Sequence, residues 1–184
     1  MRYLCVTPET AGMWQFKLKP DDPAQPHMVR MAMMTISTDG DTSPLVDLIW
    51  PDPDWTFEPG AIQVHGITRE IAADRGRLIR PVMEDYAAKL AECDALVLFS
   101  ADFWLKVLRR SFRDAGMEWI EPPRVMDALK EMKALVHANA PKTFPDCYRY
   151  CTGNELRIPS DPILAGAVKV DALASIWQGV LARR

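Results

Sequence analysis

Four cysteines carry the readiest chemistry in this chain: Cys5, Cys93, Cys147 and Cys151. None forms a C-x-x-C pair, but Cys147 and Cys151 stand four apart and share a face if the segment is helical. With a third ligand such as His137 they could hold a metal. The reading adopted is two reduced cysteines, half-buried on a helix of a cytoplasmic protein. Basic side chains form a second group. Arg69, Arg75, Arg77 and Arg80 cluster before one expected helix, and Lys106, Arg109, Arg110 and Arg113 crowd another. Such runs are ordinarily solvated faces. The chemistry they offer is phosphate contact in a nucleic-acid groove, with Arg75, Arg77, Arg109, Arg110, Arg113 and His65 as the candidates. Trp50, Trp55 and Phe57 flank a Pro-rich loop and could stack on bases, pack on a protein partner or pack the loop down.

Bulk properties narrow the field. The 184 residues suit one domain over 1–184, and 48% hydrophobic with 26% charged residues is ordinary globular composition. A formal net charge of −3 opposes a strongly basic nucleic-acid coat protein but leaves a local basic face open. No apolar run approaches the roughly 20 residues that span a bilayer, so no membrane partner is expected. The opening Met-Arg-Tyr-Leu-Cys-Val is too short for a signal peptide.

The elements that position these residues follow from periodicity. Alternation over Arg2 to Thr7 predicts a strand, Met13 to Lys17 a second, and the apolar run Met28 to Ser37 a third, with Leu45 to Trp50 as one more edge strand. The loop from Pro51 to Gly60 precedes a short helix capped by Thr68. Pro81 opens a helix with a Val82, Tyr86, Leu90 stripe. Ala95 to Phe99 reads as a strand buried on both faces. Ser100 or Asp102 caps the next helix, and Asp102 is favoured for that role. A strand at Val125-Met126, a helix from Ala128 to His137, a helical piece from Phe144 to Thr152 and a last helix from Pro162 to Leu181 complete the chain. The order predicts an α/β fold, antiparallel at one side of the sheet and parallel at the other, with helices on both faces.

Five motifs in order carry a family resemblance. They are Thr7-Pro8-Glu9-Thr10-Ala11-Gly12, Val64-His65-Gly66-Ile67-Thr68, Leu96-Val97-Leu98-Phe99-Ser100-Ala101-Asp102-Phe103-Trp104, Met126-Asp127-Ala128-Leu129, and Gly166-Ala167-Val168-Lys169-Val170-Asp171-Ala172. Together they resemble the DEDD-type 3′–5′ exonucleases, in particular the DEDDh, proofreading-subunit-like branch. The resemblance implies an RNase H-like three-layer α/β/α fold. Its mixed five-stranded sheet has a meander of antiparallel strands 1-2-3 beside parallel strands 4 and 5. It also implies a two-metal mechanism, with four carboxylates holding ions about 4 Å apart and a histidine as general base.

Carried over by position, the site falls on Thr7, Glu9, Trp104, Gly166 and Asp171, and these are expected to converge on one pocket. Only Glu9 and Asp171 remain as carboxylates, able at most to hold one metal weakly, and Gly166 replaces the base. Asp102 lies about 200° round the helix from Trp104 and does not substitute for it. His65 is read as ordering the turn before the next helix. Leu135 to Pro141 copies another motif of the family out of order and is taken as coincidence. No cofactor is expected, with Mg²⁺ or Mn²⁺ required only for residual activity. The resulting expectation is a pseudo-exonuclease that binds single-stranded DNA or RNA, or a protein partner. The alternatives are a weak metal-dependent exonuclease with substitute ligands and a structural or inhibitory protein-binding subunit. On the first reading, Thr7→Asp, Trp104→Asp and Gly166→His together restore the missing ligand types.

Overall fold

Alternation along the first strand sorts its side chains between two cores. In the computed structural model, described over residues 1–20, 22–38, 40–137 and 140–184, β1 (Arg2–Thr10) sends Leu4 and Val6 into one apolar cluster and Cys5 into another. Beside it, β2 (Met28–Ser37) sends Met31 and Met33 to the first cluster and Ala32, Met34 and Ile36 to the second. A period of two on strands buried on both faces requires a layer of helices on each side. The helices are α1 (Pro59–His65), α2 (Arg69–Arg75), α3 (Ile79–Ala91), α4 (Ala101–Asp114), α5 (Ala128–Val136), α6 (Phe144–Thr152) and α7 (Pro162–Leu181). Side chains of α3 and α4 fill the first cluster, and those of α5, α6 and α7 fill the second.

The sheet is completed by β3 (Leu45–Leu48), β4 (Ala95–Leu98) and β5 (Val125–Asp127), in the order β3-β2-β1-β4-β5. β1, β2 and β3 pair antiparallel as a meander, while β1–β4 and β4–β5 are parallel. This is the α/β architecture expected.

Two local expectations differ. Residues 13–17 form a loop and not a strand. The buried side chain of Gln25 holds them, accepting from the Gln15 amide at 2.9 Å and donating to the Gln15 and Lys19 carbonyls at 2.8 and 3.2 Å. One side chain thus satisfies backbone groups that a ladder would otherwise pair. α1 occupies sequence that reads as the tail of a loop. It begins with Pro in its first turn and ends at Gly66 with φ 72°, the asymmetry that Pro and Gly impose on helix ends.

α7 has the bounds expected but is more apolar than the sequence reading allowed. Its 20 residues, with mean hydropathy 1.3 over the most apolar stretch, are long and apolar enough to cross a membrane. Half of that stretch is buried inside the fold, and Leu173, Ile176, Trp177 and Val180 lie in the second core.

Candidate functional site

The strand period that places Cys5 on the α7 side of the sheet also places Thr7 and Glu9 there. Glu9 stands opposite Arg30 in the β1–β2 register. The guanidinium Nη2 of Arg30 donates to Glu9 Oε1 at 3.1 Å, and its Nη1 donates to the Pro162 carbonyl at 2.8 Å. From α7, Lys169 Nζ donates to the same Glu9 oxygen. Arg30 is fully buried, whereas Glu9 and Lys169 keep 15% and 20% exposure, so the cluster opens to solvent at one end. Burial lowers the Arg30 pKa from its ordinary value, and the Glu9 charge opposes that fall. One carboxylate therefore meets two cations, and the end of β1 carries a net positive charge.

Thr7, Glu9 and Trp104 line one pocket together with Phe99, Phe144 and Lys169. The Thr7 hydroxyl is buried there without a hydrogen-bond partner. Gly166 and Asp171 are not among the lining residues. Gly166 packs against the β2–β3 side. A Cβ on it would lie 2.6 Å from Val46 Cγ1 and 3.1 Å from Arg30 Cδ. Asp171 is exposed on α7. Three of the five expected positions thus converge. A histidine at 166 has no room where Arg30 already lies, which removes Gly166→His as a route back to a general base.

The donor set does not fit a two-metal centre. Among the described residues no three His, Cys, Asp or Glu side chains are grouped to share an ion. Divalent magnesium needs several oxygen ligands and an excess of anionic charge, but Glu9 is already neutralised twice over. Cys147 and Cys151 make no metal site either. Their thiols donate to the carbonyls of Pro141 and Ile176 at 3.7 and 3.8 Å. Burial raises both thiol pKa values, that of Cys147 to about 11.

Other candidates prove to be fasteners. His65 ends α1 and is buried. Its Nδ1 accepts the Ile67 amide at 3.0 Å, so Nε2 carries the proton and donates to the Thr10 carbonyl at 3.1 Å. The ring orders the turn and has no nitrogen left for a ligand. Burial lowers its pKa, with Glu9 and the Thr10 hydrogen bond opposing and the Arg30 and Lys169 charges adding to the fall. Asp102 is exposed in the first turn of α4 and does not cap it. Asp127 supplies the cap instead, accepting the Ser100 and Ala101 amides at 3.2 and 2.9 Å while capping α5 through Leu129 and Lys130. That double cap holds Ser100 at φ 66°, a conformation rare outside glycine.

The arginines divide similarly. Arg110 is buried and donates to the Asp22 carbonyl at 2.6 Å and to His27 Nε2 at 3.1 Å. It is therefore no surface phosphate ligand. Arg75 pairs with Asp161, and Arg77 with Asp47 and Asp85. Arg109 pairs with Glu121 and lies over the Trp119 ring. Arg69 holds the Pro-rich loop through the Asp52 and Trp55 carbonyls. Trp55 is buried, stacked on His27 with centroids 4.3 Å apart, so it packs the loop down. Arg109 and Arg113 remain exposed on α4.

Sequence reasoning missed Arg30 and Lys169, the two residues that define the site. Arg30 had a signal: a lone charge inside the apolar run Val29 to Ile36 must find a buried partner. Lys169 had none, since a lysine on a helix is ordinarily solvated.

No family model matches the chain, and no curated protein matches it. Solved structures do. Exonuclease I, in the structure reported as suggesting how processivity is achieved, matches with TM-score 0.75 and 15% identity, over 100% of this chain and 41% of that one. The zinc-bound E. coli exonuclease I–ssDNA complex matches with TM-score 0.73 and 15% identity over the same shares. E. coli exonuclease I with a dA16 oligonucleotide gives 0.72 and 16%, over 100% and 41%. The chain spans about two fifths of the length of these proteins, and what it shares with that part of them is the fold.

Proposed function

We propose that this chain is a degenerate DEDD-type exonuclease domain, one unit over residues 1–184, that does not hydrolyse phosphodiesters and acts by binding single-stranded nucleic acid. The observation that carries the reading is Glu9 held between Arg30 and Lys169. Where the exonuclease mechanism needs anionic ligands for two cations, this site holds its own fixed cations.

Three features support a nucleic-acid ligand. The fold is that of exonuclease I, which is bound to single-stranded DNA in several of the matching structures. An aromatic ridge borders the pocket: Phe103 contacts Trp14, Phe16 and Trp104 with centroids 5.9, 6.3 and 4.4 Å apart. Such rings can stack on bases whatever their sequence. Lys17, Lys19, Lys106, Arg109 and Arg113 are exposed on the same loop and on α4, where they can meet phosphates. The compartment consistent with four free thiols is the cytoplasm.

A protein partner is the second reading, favoured by the exposed Met13 and Phe16 of that loop, 68% and 77% accessible. Fluorescence anisotropy with a labelled single-stranded oligonucleotide at low salt separates the two. Micromolar binding weakened by Phe16→Ala and Phe103→Ala supports the nucleic-acid reading. No binding at high micromolar protein rejects it in favour of a protein interface.

A further inference from the structure

We propose that a second hollow, behind Lys169 and distinct from the aromatic-walled pocket, is a metal-independent binding site for a phosphate-type oxyanion. It lies between the C-terminal end of α1, residues 158–160 and α7, and encloses about 340 Å³. Gln63, Gly66 and Ser160 line its rim, with Arg30 and Lys169 facing it from the sheet and from α7.

The charge count favours an anion. Arg30 and Lys169 contribute two positive charges, and Glu9 removes one. His65 adds none, because its ring accepts from one amide and donates to one carbonyl as the neutral form. Asp161, next to the rim residue Ser160, is committed to Arg75 and to the cap of α7. The local balance is one uncompensated cation at the mouth of a hollow open to solvent, with the buried Arg30 behind it.

The donor count leads to the same ligand class. An ammonium has three N–H groups, and Lys169 sends one to Glu9. Arg30 Nε is buried and has no hydrogen-bond partner. It packs beside Gly166, where a Cβ would lie 3.2 Å from it, so Arg30 brings charge to the hollow and not a hydrogen bond from Nε. The Ser160 hydroxyl and the Gln63 amide add donors from the exposed side. Donors converging from several directions suit a tetrahedral oxyanion with an acceptor at each corner better than a planar carboxylate. The hollow also exceeds what one phosphoryl group fills, so it admits either free phosphate or the terminal phosphate of a longer molecule.

This site does not depend on the chain binding nucleic acid, and the test keeps the two questions apart. Thermal unfolding of the full chain is followed with inorganic phosphate against chloride at equal ionic strength, with EDTA throughout. At ten times the dissociation constant, phosphate should raise the melting temperature by roughly 3–6 °C. Lys169→Met should abolish the rise. Gln63→Glu, an exposed isosteric change that leaves the core untouched, should abolish it too by placing a negative charge at the rim. No rise in the natural protein, or an equal rise in the natural protein and Gln63→Glu, overturns the proposal, because the effect is then absent or is general salting. Oligonucleotides with and without a 3′-phosphate then identify the source. Tighter binding of the phosphorylated strand, lost in Gln63→Glu, assigns the site to nucleic-acid ends. Equal binding of both strands, with the inorganic phosphate response intact, assigns it to free phosphate.

Discussion

Glu9 holds two cations with one carboxylate, and its removal leaves Arg30 charged, fully buried and tied only to the Pro162 carbonyl. Breaking such a pair from one side destabilises a fold by about 3–5 kcal/mol. Glu9→Gln should therefore lower the free energy of unfolding in urea by that order. Lys169→Met should do so by much less, because Arg30 then keeps its partner. Equal losses would show that the cluster is a solvated surface arrangement. His65 gives a pH prediction. Its folded pKa lies below the ordinary 6.5, so on acidification the unfolded chain takes up a proton that the folded chain refuses. Stability is complete above the unfolded value and declines as pH falls through 6.5 toward the folded pKa. Urea midpoints at pH 7.5 and 5.5 should show the drop, and His65→Gln should flatten this part of it. At this scale the sequence was half legible. Glu9 and Trp104 were singled out because motifs flank them. His65, named both as a turn former and as a nucleic-acid contact, orders the turn through the Ile67 amide. Lys169 was invisible because nothing local distinguishes a half-buried, paired lysine from a solvated one.

Gly166 lets α7 lie close against Val46 of β3 and Arg30 of β2. An alanine there gains about 1 kcal/mol of helix propensity but forces its Cβ to 2.6 Å from Val46 Cγ1. Overpacking typically destabilises by about 1–3 kcal/mol. Gly166→Ala should thus lower the melting temperature, and Val46→Ala in the same chain should recover part of the loss. Simple additivity of the two would place the strain elsewhere. Most elements were legible from periodicity, including β4 as an apolar run and α7 as a striped helix. Two were not. The stretch at Met13 to Lys17 alternates like a strand, but Gln25, ten residues beyond Gln15, satisfies its backbone. α1 was hidden because Pro59 and Gly60 read as loop residues, although Pro in the first turn and Gly66 just past the last were its end signals.

Over the whole molecule, ordered motifs gave the α/β/α architecture, since sheet order depends on element order more than on any one residue. They did not give the polarity of the site, which depends on two cations brought together from β2 and α7. If nucleic acid crosses this face, each phosphate neutralised contributes a salt slope of about −0.7 for a single strand. Two or three contacts from Lys106, Arg109 and Arg113 predict a slope of roughly −1.4 to −2.1, measurable by anisotropy across a salt series. A flat response would remove phosphate contact from the account.

In the proposed function fixed cations take the place of metal ions and hydrolysis is lost. Incubating the natural protein with a 5′-labelled single-stranded oligonucleotide, in Mn²⁺ and separately in EDTA, tests it most directly. Full-length oligonucleotide in both conditions, with equal retention by the protein in both, is the expected result. Progressive shortening from the 3′ end in Mn²⁺, suppressed by EDTA, would contradict it.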